Sequence, residues 1–121
     1  MKKILIVDDQ LEVRELVNVT LRIGDYNIVH ADNGKKAIEI VRSEMPDLII
    51  MDVMMPGEID GLETTKILKS NPETKDCKII MLTAKCQEVD RKRCFEVGAD
   101  DYFVKPFSPL ELIRKVEMLL E

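Results

Sequence analysis

The chain has 121 residues, of which 45% are hydrophobic and 34% are charged, as is typical of one globular domain. Its net charge of −5 provides no basic surface for nucleic acid, and no apolar run approaches the roughly 20 residues that span a bilayer. The first apolar run is too short for a signal peptide, and the three cysteines include no C-x-x-C pair. We therefore expect one domain over residues 1–121, located in the cytoplasm, that neither binds nucleic acid directly nor inserts into a membrane.

Five short apolar runs predict β-strands, each followed by a helical segment. The runs at 4–7, 48–51 and 79–82 are continuous in Ile, Leu, Val and Met, as in strands buried on both faces of a parallel sheet. The runs at 28–31 and 102–104 are shorter, and their polar neighbours indicate the edges of the sheet. Strands that alternate with helices predict an α/β, doubly wound fold.

Two of the helices are well marked in the sequence. The first carries an apolar stripe at spacings of three and four, formed by Val13, Leu16, Val17, Thr20 and Leu21. The last begins with Ser108 as its cap, Pro109 in its first turn and Glu111 at the third position of a capping box.

Polar residues follow four of the predicted strands. Asp8 and Asp9 follow the first strand, Asp52 the third, Thr83 the fourth and Lys105 the fifth. The carboxyl ends of parallel strands form the ligand-binding edge of an open α/β sheet, so these side chains should lie together. Three carboxylates there would repel by about 4 kcal/mol per pair at ~4 Å and an effective dielectric of ~20, and a hard cation such as Mg²⁺ would relieve this repulsion. One carboxylate could then attack phosphorus while Lys105 and Thr83 stabilise the transferred group, which indicates phosphoryl transfer.

Five short motifs, in order, resemble the receiver domain of two-component response regulators over essentially the whole chain. They are V-D-D at 7–9, M-D-V-M-M-P-G at 51–57, L-T-A at 82–84, G-A-D-D-Y at 98–102 and K-P-F at 105–107. The resemblance implies a flavodoxin-like, CheY-like (βα)5 fold with strand order 2-1-3-4-5. It also implies a signalling switch that takes a phosphoryl group from a histidine kinase or a phosphotransfer protein, and that catalyses only its own phosphorylation and dephosphorylation.

The resemblance assigns the acidic residues. Asp52 corresponds to the phosphoacceptor, and Asp8 and Asp9 correspond to the acidic pair around the metal. Met54 corresponds to the position whose main-chain carbonyl completes the site with Asp52. The implied metal is Mg²⁺, with Mn²⁺ as an alternative.

The resemblance also assigns the switch. Thr83 corresponds to the hydroxyl that turns toward the phosphoryl group, Tyr102 to the aromatic rotamer switch and Lys105 to the phosphate-binding lysine. A cis peptide is implied between Lys105 and Pro106. A downstream target protein would bind the surface formed by the fourth helix, the fifth strand and the fifth helix.

The chain departs from the family pattern in the loop after the phosphoacceptor. Similar domains have one residue fewer between Pro56 and Gly61. The extra residue would change the geometry of the loop, and with it the choice of kinase, more than the chemistry.

Two other functions share parts of this pattern. A haloacid-dehalogenase-type phosphatase also forms an aspartyl phosphate in an α/β fold, but it needs a second Asp two residues after the nucleophile, where this chain has Met54. A pseudo-receiver is an interaction module that takes no phosphate and usually lacks one of the key groups, all of which are present here. The phosphoacceptor switch is therefore the favoured interpretation.

Overall fold

Strands and helices alternate along the chain. The computed structural model describes residues 1–84 and 88–121. The elements are β1 (Lys2–Val7), α1 (Leu11–Leu21), β2 (Tyr26–Ala31), α2 (Gly34–Glu44), β3 (Leu48–Asp52), α3 (Gly61–Ser70), β4 (Lys78–Thr83), α4 (Glu88–Glu96), β5 (Asp101–Val104) and α5 (Pro109–Leu119). Cys77 and Cys94 are buried, and Cys86 lies outside the described residues. Within the described part of the chain, no helix is both long enough and apolar enough to cross a bilayer.

The five strands form one parallel sheet in the order β2-β1-β3-β4-β5. The side chains at 4–7, 48–51 and 79–82 are at most 1% exposed, because the three central strands are covered on both faces. β2 and β5 form the edges of the sheet and are less buried. The predicted α/β fold and the strand order implied by the family resemblance are both confirmed.

The sheet separates two hydrophobic cores. One core lies between the sheet and α2, α3 and α4, and the other lies between the sheet and α1 and α5. Successive side chains of a strand point to opposite faces, so the neighbours Ile49 and Ile50 belong to different cores. The helices thus cover both faces and leave the carboxyl ends of the strands as one edge.

The apolar stripe of α1 is narrower than its sequence predicts. Val17 and Leu21 are buried, but Leu16 is 54% exposed, so the prediction that Leu16 faces the core is wrong. The face of the sheet that α1 covers is shared with α5, and α1 therefore buries a stripe one residue wide per turn. Leu16 lies about 100° around the helix from Val17 and faces solvent.

The start of α5 agrees with its sequence pattern. Ser108 precedes the helix, Pro109 lies in the first turn, and the N–H of Glu111 donates a hydrogen bond of 3.4 Å to the hydroxyl of Ser108. The cap stabilises the helix because the first N–H groups have no partner within it. It also sets where the segment after β5 turns away from the edge of the sheet.

Candidate functional site

The carboxyl edge of the sheet brings together the five polar residues that follow the strands. Asp8 and Asp9 come directly after β1, Asp52 ends β3, Thr83 ends β4 and Lys105 follows β5. The parallel register aligns the strand ends, because Asp52 is paired with Leu82 and Thr83 with Val104. The site is therefore a direct product of strand order and register.

Three carboxylates form a cluster at this edge. One oxygen from each of Asp8, Asp9 and Asp52 lies within 4.8 Å of the other two. Asp8 is 1% exposed and Asp52 is 5% exposed, whereas Asp9 faces solvent. Ligands at 2.0–2.1 Å place neighbouring oxygens about 3 Å apart and opposite oxygens about 4 Å apart around Mg²⁺, so the carboxylates would move closer together to bind the ion. The chemistry of the donor set, all oxygen and mostly charged, also suits a hard divalent cation.

Lys105 supplies the positive charge within the cluster. Its Nζ donates hydrogen bonds of 3.1 Å to Oδ2 of Asp8 and 3.1 Å to Oδ1 of Asp52. Burial tends to lower the pKa of Lys105, but its hydrogen bond to Asp8 and the charge of Asp52 outweigh burial, so the pKa is raised. Lys105 therefore stays protonated and compensates two buried negative charges.

The pKa of Asp52 is also raised. Burial is the largest cause, and the charge of Asp8 adds to it, while Lys105 and the main-chain N–H of Met54 act in the opposite direction. The ionised carboxylate is thus held in the site at a cost in free energy. The side chain of Met54 points outward and is 64% exposed.

Asp8 is fixed by bonds to four different residues. Its main-chain N–H donates to the carbonyl of Ala31 at 3.2 Å, and its main-chain carbonyl accepts from Nη1 of Arg14 at 2.6 Å. Its Oδ1 accepts from the N–H of Gln10 at 2.9 Å, and its Oδ2 accepts from Lys105. Sequence reasoning missed Arg14, whose only signal is a basic residue one turn inside the helix that follows the acidic pair.

Close main-chain packing supports the end of β3. The N–H of Gly61 donates to the carbonyl of Val53 at 2.9 Å, and a Cβ built on Gly61 would collide with the main-chain carbonyl of Asp52. On the other side of Asp52, the main-chain N–H of Lys105 donates to the carbonyl of Thr83 at 2.7 Å, and the Lys105–Pro106 peptide is cis. The N–H of Val53 also donates to the carbonyl of Leu82 at 2.9 Å, so main-chain hydrogen bonds join the ends of β3, β4 and β5 around the carboxylate.

Tyr102 links β5 to α4. Its ring lies edge-on to Phe95, with 5.9 Å between the centroids and 87° between the planes, and the guanidinium of Arg91 lies 5.7 Å from its centroid. In the sheet register Tyr102 is paired with Met81, two residues before Thr83. Tyr102 and Thr83 therefore lie diagonally on the same face of neighbouring strands, because side chains alternate along a strand.

The longer loop after Asp52 forms one wall of a cleft of about 620 Å³. The other wall is formed by residues 32–35, and Asp9 lies at the cleft as well. Lys35 and Glu58 form an ion pair of 2.8 Å across it, with side chains 62% and 77% exposed. Such an exposed pair adds little to the stability of the fold.

Comparisons with known proteins agree with this geometry. The family model for the response regulator receiver domain matches residues 4–117. The phosphate regulon transcriptional regulatory protein PhoB of Pseudomonas aeruginosa is 44% identical over 119 residues, which cover 98% of this chain and 52% of PhoB. The transcriptional regulatory protein ResD of Bacillus subtilis is 46% identical over 118 residues, which cover 98% of this chain and 48% of ResD. The chain thus spans about half the length of these two relatives. The solved structure of the chemotaxis protein CheY4 of Vibrio cholerae superimposes with a TM-score of 0.90 at 32% identity, with 99% of each chain covered.

Proposed function

The chain belongs to the response regulator receiver domain family of two-component signalling, and we propose that Asp52 is the residue in it that accepts the phosphoryl group. The observation that carries the proposal is the placement of the Asp52 carboxylate, which ends a buried strand beside two further carboxylates and an ammonium group. The donor would be a histidine kinase or a phosphotransfer protein. We further propose that residues 1–121 form one receiver domain that acts in the cytoplasm without binding nucleic acid directly, in keeping with the net charge of −5.

The proposed chemistry is a displacement at phosphorus. A carboxylate oxygen of Asp52 forms a bond to phosphorus, the bond from phosphorus to the donor atom breaks, and the donor leaves with that electron pair. Mg²⁺, held by Asp8, Asp9, Asp52 and the main-chain carbonyl of Met54, would neutralise charge on the phosphoryl oxygens when bound. Mn²⁺ can take the same oxygen ligands. The chain thereby catalyses its own phosphorylation and, with water as the attacking group, its own dephosphorylation.

Lys105 has two roles in this proposal. At rest it is the counter-ion of Asp8 and Asp52, at 3.1 Å from each. Phosphorylation adds roughly two negative charges at Asp52, and the ammonium group can then donate to a phosphoryl oxygen without leaving the site. Its raised pKa keeps it protonated throughout.

The output is proposed to pass from Thr83 to Tyr102. A phosphoryl oxygen on Asp52 would accept a hydrogen bond from the Thr83 hydroxyl, and the movement of Thr83 would open space for the Tyr102 ring on the same face of the sheet. The surface formed by α4, β5 and α5 would then change its affinity for a downstream target protein. Such a shift can be no larger than the difference in phosphate binding between the two states.

Phosphorylation of the Asp52→Asn variant tests the proposal. Intact-protein mass spectrometry after incubation with acetyl phosphate and Mg²⁺ should show the added phosphoryl group on the wild type and none on Asp52→Asn. Asp25→Asn is the matched control, because Asp25 is exposed in the loop between α1 and β2. Phosphate uptake by Asp52→Asn at the wild-type rate would place the acceptor elsewhere.

Fluorine NMR on fluorotyrosine-labelled protein tests the output separately. Beryllofluoride should shift the Tyr102 resonance, and Thr83→Ala should weaken this shift. Tyr26, on the opposite edge strand, should not respond. An equal response of Tyr102 in wild type and Thr83→Ala would disprove the coupling and leave the role of Asp52 intact.

A further inference from the structure

The two adjacent acids of the cluster differ in how they are held. Asp8 is buried and bonded through its main chain and both carboxylate oxygens, whereas Asp9 is exposed. The position of the Asp9 carboxylate therefore depends on the main chain that carries it. That main chain is connected to Asp8 by one peptide group.

Arg14 bonds to this peptide group. The carbonyl of Asp8 belongs to the peptide that joins Asp8 to Asp9, and it accepts a hydrogen bond of 2.6 Å from Nη1 of Arg14. The N–H on the other side of Asp8 is held by the carbonyl of Ala31 at 3.2 Å. Because a peptide group is planar, a bond that fixes its carbonyl oxygen also fixes the direction in which the next residue continues.

A contribution to stability does not by itself explain why position 14 is an arginine. Among the described residues, no acceptor bonds to its Nε–H, which is buried. A buried donor without a partner is unfavourable, and such groups are uncommon in folded proteins. A lysine at position 14 would keep a positive charge and would carry no such N–H.

We propose that Arg14 is a positioning residue for the metal site: it fixes the Asp8–Asp9 peptide and so directs the Asp9 carboxylate toward the ion. This inference rests on the proposed function, since it assigns Mg²⁺ to the Asp8, Asp9 and Asp52 cluster. Groups that orient metal ligands without touching the metal commonly change its affinity by 10–100-fold when they are replaced.

Calorimetric titration with MgCl₂ tests the proposal on the intact chain. Arg14→Met keeps much of the side-chain volume and removes the donors, so its dissociation constant for Mg²⁺ should rise by about 10-fold or more. Arg14→Lys restores one donor and should lie between Arg14→Met and the wild type. Arg22→Met is the matched control, because Arg22 is exposed at the other end of α1, and its affinity should equal that of the wild type.

Stability measured in EDTA separates positioning from a general structural role. Arg14→Lys removes the unpaired buried N–H, so its melting temperature should not fall although its Mg²⁺ affinity does. Saturating Mg²⁺ should restore the rate of labelling by acetyl phosphate in both variants. If Arg14→Met does not fold, Arg14→Lys decides the question.

The outcomes are distinguishable. Mg²⁺ affinities within about twofold of the wild type in the folded Arg14 variants would overturn the role of Arg14 and leave the metal site in place. A wild type that binds no Mg²⁺ would instead overturn the proposed function, and the inference with it.

Discussion

Replacing Asp52 with Asn should stabilise the metal-free protein, although it removes the proposed phosphoacceptor. The amide has nearly the shape of the carboxylate but carries no charge. Asp52 is 5% exposed, and its charge lies beside those of Asp8, Asp9 and Lys105. The unfolded chain does not hold the charge of Asp52 close to any of these three, so the substitution acts mainly on the folded state.

The magnitude follows from the distances. One oxygen of each acid lies within 4.8 Å of the others, and at that separation and an effective dielectric of about 20 two carboxylates repel by about 3.5 kcal/mol. Asp52 faces both Asp8 and Asp9 in this cluster. Its attraction to Lys105 at 3.1 Å is about 5.4 kcal/mol under the same conditions. Repulsion from both acids at full strength would exceed this attraction by about 1.5 kcal/mol, which corresponds to about 5 °C in melting temperature for a domain of this size. Solvent screening of the exposed Asp9 reduces this gain, and release of the buried charge of Asp52 increases it.

Urea unfolding at pH 7 in EDTA measures the effect, with Asp25→Asn as the neutral control. The raised pKa of Asp52, caused first by burial and then by Asp8, fixes the sign of the pH dependence. Between the ordinary and the raised pKa the folded chain binds more protons than the unfolded chain, so wild-type stability falls as pH rises through the raised value. The advantage of Asp52→Asn should accordingly disappear as pH falls toward 3.8, the ordinary value. A variant less stable than wild type at pH 7, or an advantage that grows in acid, would refute the reasoning.

Three further predictions concern the metal, the support of β3 and a histidine. Mg²⁺ at about 100 times its dissociation constant should stabilise the folded chain by about 2.7 kcal/mol in thermal melts. Asp9→Ala should remove most of that gain. Asp8→Ala should remove a smaller part if Asp8 acts on the metal through water. Gly61→Ala should lower the free energy of unfolding by about 1–3 kcal/mol in urea, because its Cβ would displace the main chain of Asp52. Partial burial, and next the positive charge of Arg14, lower the pKa of His30. The neutral form of His30 therefore contributes stability above pH 6.5, and this contribution is lost as pH falls through the lowered pKa. Thermal melts of His30→Asn should therefore depend less on pH in that range.

The central sheet could be predicted from sequence because its strands leave a strong signal. β1, β3 and β4 are buried on both faces, and such strands are continuous apolar runs that few other elements produce. The sequence indicates that β2 and β5 are the edge strands, but the order of the three central strands could not be read from it, since every order of those three buries the same residues. That order came from the family resemblance.

The candidate site was predictable where residues follow strands and unpredictable where they lie on a helix. Asp52 and Lys105 occupy strand ends, so topology alone brings them to one edge. Arg14 reaches that edge only through the direction of its side chain from α1, which spacing along the sequence does not contain. Leu16 fits the apolar stripe of α1 as well as Val17 does, but only Val17 packs in the core shared with α5, and the spacing does not tell the two apart.

The charge balance of the acidic edge has a consequence for the order in which the chain folds. Lys105 is 97 positions from Asp8 and 53 from Asp52. On the ribosome, β1 and β3 are complete long before residue 105 emerges, so their pairing assembles the carboxylates without the ammonium group. This repulsion disfavours early closure of the amino-terminal half, and the loop that must close to relieve it spans most of the chain. Lys105, which follows the last strand, thus brings the charge that offsets part of this repulsion, and a nascent chain that stalls before β5 lacks that compensation.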